Sequence, residues 1–424
     1  MLFRSGLSNV AFDDLSFAQM LETPHERTPK VDVVVLHGVF SWVSPENRAA
    51  IVQIIDRTLK PGGIAYVSYN CLPGWSALAP LQRFVAEHAA RGSGDPRKRI
   101  MEAFRAALAM VEGKAAAFSA IPSVKVQIEA ALANDPAYLV HEYLNARSEP
   151  LYHAQAAAEL SGARLDFAAS ASIADDLINL AAPAALQETI RQAADPVWRE
   201  TLLDYATDKP FRRDVYVRGR TAPSQAEHEA LLDETRFVLL TDPASANFEF
   251  SIPMGRLAGQ PGLYQPIIDA LAQGPKSFGE LRRLPALAQV QPAGFLQAVT
   301  LLVGGRRIHP VSNLGDGGSA RDFNAAVERR TDLGEVPTRL ASVAAGTAVQ
   351  PDLAELIAIG GLLRGEATKD TVQRGWALMA RTGRRLVEGG QTVMDQAGTE
   401  AALLRRLQAF ERDRAPRLRS LGVL

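Results

Sequence analysis

The chain has 424 residues, 46 Lys and Arg against 47 Asp and Glu, and a net charge of −1, so no basic excess points to nucleic acid or to an anionic membrane. With 47% hydrophobic and 22% charged residues it has the balance of a soluble globular protein, with room for roughly two to four domains. No apolar run approaches the roughly 18 residues of a membrane span, the first residues lack a secretory apolar core, and the single cysteine, Cys71, excludes an intrachain disulfide or a cysteine zinc site. The expected location is the cytoplasm.

In chain order, residues 9–12 read as the end of a short strand and 15–22 as a turn of helix. At 31–36, Val-Asp-Val-Val-Val-Leu is a near-continuous apolar run, the pattern of a strand buried on both faces in a parallel sheet. Ser44 followed by Pro45 predicts a helix start, and Ile51, Ile54, Ile55 and Leu59 keep helical spacing. Lys-Pro-Gly-Gly at 60–63 predicts its end, and 64–69 predicts a second strand. Strand, short crossover helix and strand make a parallel βαβ unit.

Helices are expected from Leu78 onward, with Ile100, Phe104, Leu108, Val111 and Phe118 on one face of a long helix. A strand is expected within 162–170, helices from Ser172 to Asp208, and a local basic segment at 209–219. Beyond it come strands at 236–240 and 247–255, helices near 264–273 and 276–284, and helix, glycine turn and strand over 293–311. That order resembles a winged-helix module. Residues 312–322 read as a Gly-rich linker. Helices are expected over 350–412, with Val372, Trp376, Met379 and Leu386 on one stripe and the late arginines, including Arg406 and Arg414, on a solvated face.

The seven histidines show no His-Glu-x-x-His spacing, so no metal site is expected. Ligands of open parallel sheets sit beyond the carboxyl ends of the strands. His-Gly-Val-Phe-Ser-Trp at 37–42 and Ser-Tyr-Asn-Cys-Leu-Pro-Gly-Trp at 68–75 occupy two such ends. Asn70 can donate and accept, and Tyr69 and Trp75 offer flat faces to an adenine, a sulfonium or a lysine stem, or else pack the loops onto the helices below.

These two stretches, with Leu-Lys-Pro-Gly-Gly between them, resemble the second half of class I S-adenosylmethionine-dependent methyltransferases, and more narrowly the subgroup carrying a methyltransferase regulatory domain. Residues 137–167, with His141, Glu142, Tyr143, Leu144, Glu149, Pro150, Tyr152 and His153, look like that regulatory domain. The layout also resembles rickettsial-type protein lysine methyltransferases. The fold class implied is α/β, a partial Rossmann-like methyltransferase domain, followed by mostly α-helical domains with the winged-helix-like module. The division implied is a methyltransferase half at 1–95, a regulatory or middle domain at 96–220, the winged-helix-like part at 225–311 and a helical domain at 323–424.

The resemblance implies methyl transfer from S-adenosylmethionine to a protein lysine. It places His37, Trp42, Tyr69, Asn70 and Trp75 at the transfer site, and Asp14, Ser16, His37 and Gly38 at the cofactor. His141 and Glu142 are candidates to reach the site from the regulatory domain. It implies a protein substrate and a homodimer as partners, with neither nucleic acid nor membrane. The family's acidic Gly-x-Gly-x-Gly turn is not in this sequence, which reads as an amino-terminally truncated form. The alternative is a non-catalytic remnant acting as an interaction or regulatory module.

Overall fold

The computed structural model describes residues 9–24, 29–121, 123–145, 147–312, 318–335, 337, 339–388 and 391–424. The chain divides into two compact units, one essentially 14–222 and the other essentially 223–424.

The first unit begins with helix α1 (Phe17–Glu22), strand β1 (Val31–Leu36), helix α2 (Pro45–Thr58) and strand β2 (Leu59–Asn70). Residues 9–12 form no strand and are exposed. The Ser44 hydroxyl caps α2 by accepting from the Asn47 amide, and β1 and β2 pair in parallel, as the βαβ pattern requires. Pro61 and the glycines do not sit in a turn after the helix. They lie inside β2, where Val31 faces Leu59 but Val33 already faces Ile64, so the glycines absorb a bulge.

Five helices follow: α3 (Ala79–Arg91), α4 (Pro96–Glu112), α5 (Ala116–Ser119), α6 (Val124–Leu132) and α7 (Pro136–Tyr143). Leu81, Ile100, Phe104, Phe118, Ile128 and Leu139 share one apolar core. Phe118 belongs to this core, but α4 stops at Glu112 and Lys114 takes a positive φ, so the single long helix is in fact two. Then come α8 (His153–Ser161), β3 (Leu165–Ser170), α9 (Ile178–Ala181), α10 (Ala184–Gln192), α11 (Pro196–Thr207) and β4 (Phe211–Arg218).

The sheet order is β1-β2-β4-β3, with β4 antiparallel to both β2 and β3. It is therefore mixed rather than parallel. Residues 209–219, which read as a local basic segment, supply a central strand. Phe40, Ile51, Ile55, Val67, Leu160 and Tyr216 form one core, so residues from 31–75 and from 151–216 fold around the same apolar centre.

β1 is a sheet edge and is not buried on both faces: Val33 is 54% and Val35 62% exposed, and Ile64 beside Val33 is 40% exposed. An exposed, apolar edge strand invites pairing with another chain. Val35→Lys is expected to lower the aggregation rate, read by light scattering on warming, while the melting temperature stays within about 2 °C of the parent. An unchanged rate would mean that this edge does not drive association.

The second unit runs through α12 (Gln225–Glu234), β5 (Arg236–Leu239), β6 (Glu249–Ile252), β7 (Gly255–Ala258), α13 (Pro261–Ala272), β8 (Lys276–Ser277), α14 (Phe278–Arg282), α15 (Pro292–Gly304) and β9 (Ile308–Pro310). β5 lies between β8 and β9 in a three-stranded antiparallel sheet. Of the linker expected at 312–322, residues 313–317 lie outside the described residues, and α16 (Gly318–Glu328) already begins within it.

Next are β10 (Leu340–Ser342), β11 (Thr347–Val349), α17 (Leu353–Arg364), α18 (Thr368–Thr382), β12 (Val387–Glu388), β13 (Gln391–Thr392), α19 (Gln396–Ala409), a π-helical turn at Phe410–Arg414 and α20 (Ala415–Ser420). Val372 and Met379 are buried on α18. Leu386 is buried too, but beyond the end of that helix. Val238 of β5 and Leu356, Leu403 and Leu418 belong to one core, so the second unit is a single packed body.

Candidate functional site

The side chains of β2 alternate, and pairing with β4 decides what each face meets. Ser68 and Asn70 point one way, beside the loop that follows β1. The Ser68 hydroxyl accepts from the Gly38 amide at 2.8 Å and lies 3.3 Å from His37 Nδ1. His37 Nδ1 is also 3.1 Å from the Tyr66 hydroxyl. Gly38 takes φ +64, and nothing lies within 4 Å of where its side chain would be. The Ser41 hydroxyl accepts from the Asn70 amide at 3.2 Å, which ties the two strand ends together.

α7 reaches this place. Its His141 ring stacks on Trp42, with centroids 6.3 Å apart. Its Glu142 faces Asn70, whose buried Nδ2 closes no well-formed hydrogen bond. Burial pushes the Glu142 carboxyl above the usual carboxylate range, against the opposing pull of Asn70, His141 and Tyr138. His37, Trp42, Asn70, Tyr138, His141 and Glu142 thus gather at the carboxyl ends of two parallel strands. The segment behind α7 is held here as well: the Glu149 amide donates to Ser41 O at 2.8 Å, and Arg48 binds the carboxylates of Glu149 and Glu159, each at 2.9 Å.

Tyr69 points the other way and is fully buried. Its hydroxyl donates to Asp214 at 2.8 Å and lies 3.4 Å from His153 Nδ1. Trp75 is also buried. The structure therefore turns Tyr69 to the opposite face of β2 from Asn70, into the core of the sheet. Gly74, just before Trp75, has a plain reason: a side chain there would lie 2.4 Å from the Lys209 backbone. Ser16 caps α1 by accepting from the Gln19 amide, while Gln19 accepts from the Ser16 amide, so its hydroxyl serves a capping box. Asp14 is exposed two residues earlier.

Arg212 was missed in the sequence. It is fully buried on β4, and its guanidinium binds Glu200 at 2.7 Å, Asp204 at 2.6 Å and Asp214 at 2.9 Å. One cation faces three carboxylates, so their ionisation is unequal. Burial resists the charge on Asp214, yet Arg212 and then His153 hold its carboxyl below the usual range. Burial raises the carboxyl of Asp204 in spite of Arg212. Burial, with Asp204 second, also pushes the Cys71 thiol up, so it stays protonated and donates to Asp204 at 3.5 Å. The period-two alternation at 211–218 was legible but points the wrong way: Phe211, Val215 and Val217 make the apolar set, while the buried set is Arg212, Asp214, Tyr216 and Arg218.

Asp176, just after β3, accepts from the Ser170 amide at 3.0 Å. Burial is the largest cause of a carboxyl pushed up to about 6, with Glu200 and Asp175 adding to it and Lys209 opposing. A carboxyl raised on folding stabilises the fold fully below its unfolded value, and the contribution fades as pH rises through the folded value. Parent stability relative to Asp176→Asn is therefore expected to fall between about pH 4 and pH 7. Urea melts across that window check it, and a pH-independent difference would rule it out.

Residues 135–218 match the family model described as a predicted methyltransferase regulatory domain. They run from α7, over the site, to β4, in the sheet. The Synechocystis protein sll1526, itself uncharacterised, is 32% identical over 99% of this chain and 82% of its own length. The Rickettsia prowazekii protein RP789 is 28% identical over 49% of this chain and 36% of its own length. The solved structure of PKMT2 from Rickettsia typhi in complex with AdoHcy is 18% identical, with a TM-score of 0.66 over 99% of this chain and 85% of that one. The chain belongs to one family with the Synechocystis protein sll1526, carries the match to the predicted methyltransferase regulatory domain at residues 135–218, and shares the fold of PKMT2.

Proposed function

We propose that this protein transfers a methyl group from S-adenosylmethionine to a lysine side chain of another protein. The observation that carries the reading is the meeting of α7 with the ends of β1 and β2. There the buried Asn70 amide faces the Glu142 carboxylate, beside a Trp42–His141 stack. PKMT2 supports the choice of cofactor, since its structure was solved with AdoHcy.

Within this chain, Gly38 and His37 fit the cofactor side, because Gly38 leaves open space after β1. The cofactor supplies an electrophilic methyl group on a sulfonium. The chain must supply alignment and a place for the proton of the lysine ammonium. Glu142 is suited to that, as a half-buried carboxylate with a raised affinity for protons. Trp42 and His141 form a wall for the lysine stem.

We read the sheet of β5, β8 and β9 with α13 to α15 as a winged-helix-like module. Its α15 carries no Lys or Arg, so the module is assigned to protein contact and not to nucleic acid. A cytoplasmic homodimer belongs to the same reading. The second reading, a non-catalytic interaction module, is favoured by one observation: the Ser16 hydroxyl and the Gly38 amide, both on the candidate cofactor side, are spent within the chain.

Calorimetry of the full chain with S-adenosylmethionine separates the two. Saturable micromolar binding, followed by transfer of labelled methyl to lysine in a protein acceptor, supports methyl transfer. No binding leaves the module reading standing.

A further inference from the structure

The second unit holds a cavity of about 760 Å³, within the usual range for small-molecule sites. Its walls come from the end of β5, the turn after α15, β11, the start of α17 and the end of α19. Two backbone irregularities meet on it. The first is Arg306, a non-glycine residue at φ +57. α15 ends there in a Schellman-like turn, with the Arg307 amide on Leu302 O and the Arg306 amide on Val303 O. Glycine is the usual residue at such a position. Here Gly305 keeps φ −77 and the arginine takes the left-handed place, which an L side chain adopts only under strain. The second is the π-helical turn Phe410–Arg414, a feature that often marks functional sites.

The charges lining the cavity are unevenly committed. Glu355 binds Arg414 at 3.1 Å and shares a capping box with Asp352, while Asp413 pairs with Arg412. Asp242 caps its own turn. Arg306 and Arg406 differ. Arg306 donates to Gln350 and to Ala348 O, and Arg406 donates to Val387 O, all of them neutral acceptors. Neither has a carboxylate partner among the described residues. Guanidinium groups bonded only to neutral acceptors, above a wall of Leu240, Val349 and Phe410, suit an anion with an apolar body.

We infer that this cavity is a binding site for a small organic anion, with Arg306 and Arg406 receiving its carboxylate or phosphate and Leu240, Val349 and Phe410 covering its apolar part. The strained backbone at Arg306 is then the cost of aiming that guanidinium at the ligand.

The inference does not depend on the methyl-transfer reading, and its test does not involve methyl transfer. Thermal melts and calorimetry of the full chain use benzoate and phenyl phosphate at millimolar concentration, with benzamide at matched ionic strength as the neutral control. One anion is expected to bind saturably and raise the melting temperature, and benzamide is not. Whichever binds identifies the head group as carboxylate or phosphate. Arg306→Gly removes the guanidinium and relieves the backbone. It is expected to melt no lower than the parent without ligand, yet to bind about tenfold more weakly. Arg406→Gln is expected to lose a similar factor, and the surface variant Arg83→Gln none. Failure of both anions, equal binding of benzamide, or full affinity in Arg306→Gly would each overturn the inference.

Discussion

Arg212→Leu is expected to destabilise the first unit by about 3–5 kcal/mol, the largest stability effect of any single substitution proposed for this protein. The size follows from what would be left behind. Arg212 is buried, and so are its partners Asp204 and Asp214, so removing the guanidinium strands carboxylates away from water. Tyr69 and His153 both bond Asp214 and would lose their anchor, which loosens β2 against β4 and α8.

Arg212→Lys should recover little, because one ammonium cannot serve Glu200, Asp204 and Asp214 from three sides as the guanidinium does. Adding Asp214→Asn to Arg212→Leu should return part of the loss by removing the least tolerable buried charge. Urea unfolding followed by circular dichroism reads all three variants. A loss below about 1 kcal/mol for Arg212→Leu would show that the network relaxes or takes in water instead of holding the sheet.

The second large effect is on activity. On the proposed reading, Glu142→Gln should slow methyl transfer by about 10² or more while leaving cofactor binding and the melting temperature close to the parent. Glutamine keeps the shape and the contact with Asn70 but cannot take a proton. The parent rate should also fall as pH drops through the raised range of the Glu142 carboxyl, since only the ionised form can accept a proton. That limb should vanish in Glu142→Gln. If the variant keeps the full rate, or keeps the acid limb, the proton goes elsewhere and α7 only shapes the site. Asn70→Ala gives a companion measurement: a rise in the Michaelis constant with an unchanged turnover number would assign Asn70 to ground-state binding alone.

Much of this was legible in the residues themselves. Ser44 and Pro45 start α2, the apolar run at 31–36 is a strand, and both strands end in the aromatic and polar loops that resemble the family. Local rules suffice there, since caps and short apolar periods act over a few residues. Val33 and Val35 mark where those rules fail. The same apolar run reads as doubly buried, but exposure depends on what covers the sheet, and a strand's own sequence does not say that.

The site divides the same way. Trp42, Asn70, His141 and Glu142 were each visible, and the structure brings them together. Tyr69 and Trp75 carried the same aromatic signal yet are buried. On β2, Ser68, Tyr69 and Asn70 must alternate in side, and that much is local. Which side becomes core is set by β4, where Tyr69 pairs with Arg212 across the sheet from far along the chain. Caps, short apolar runs and the family motifs could be read along the chain, because they rest on near neighbours. That Tyr69 joins a buried ion network while Asn70 faces Glu142 came with the fold, because antiparallel register is a long-range choice that turns every side chain of a strand to one face or the other.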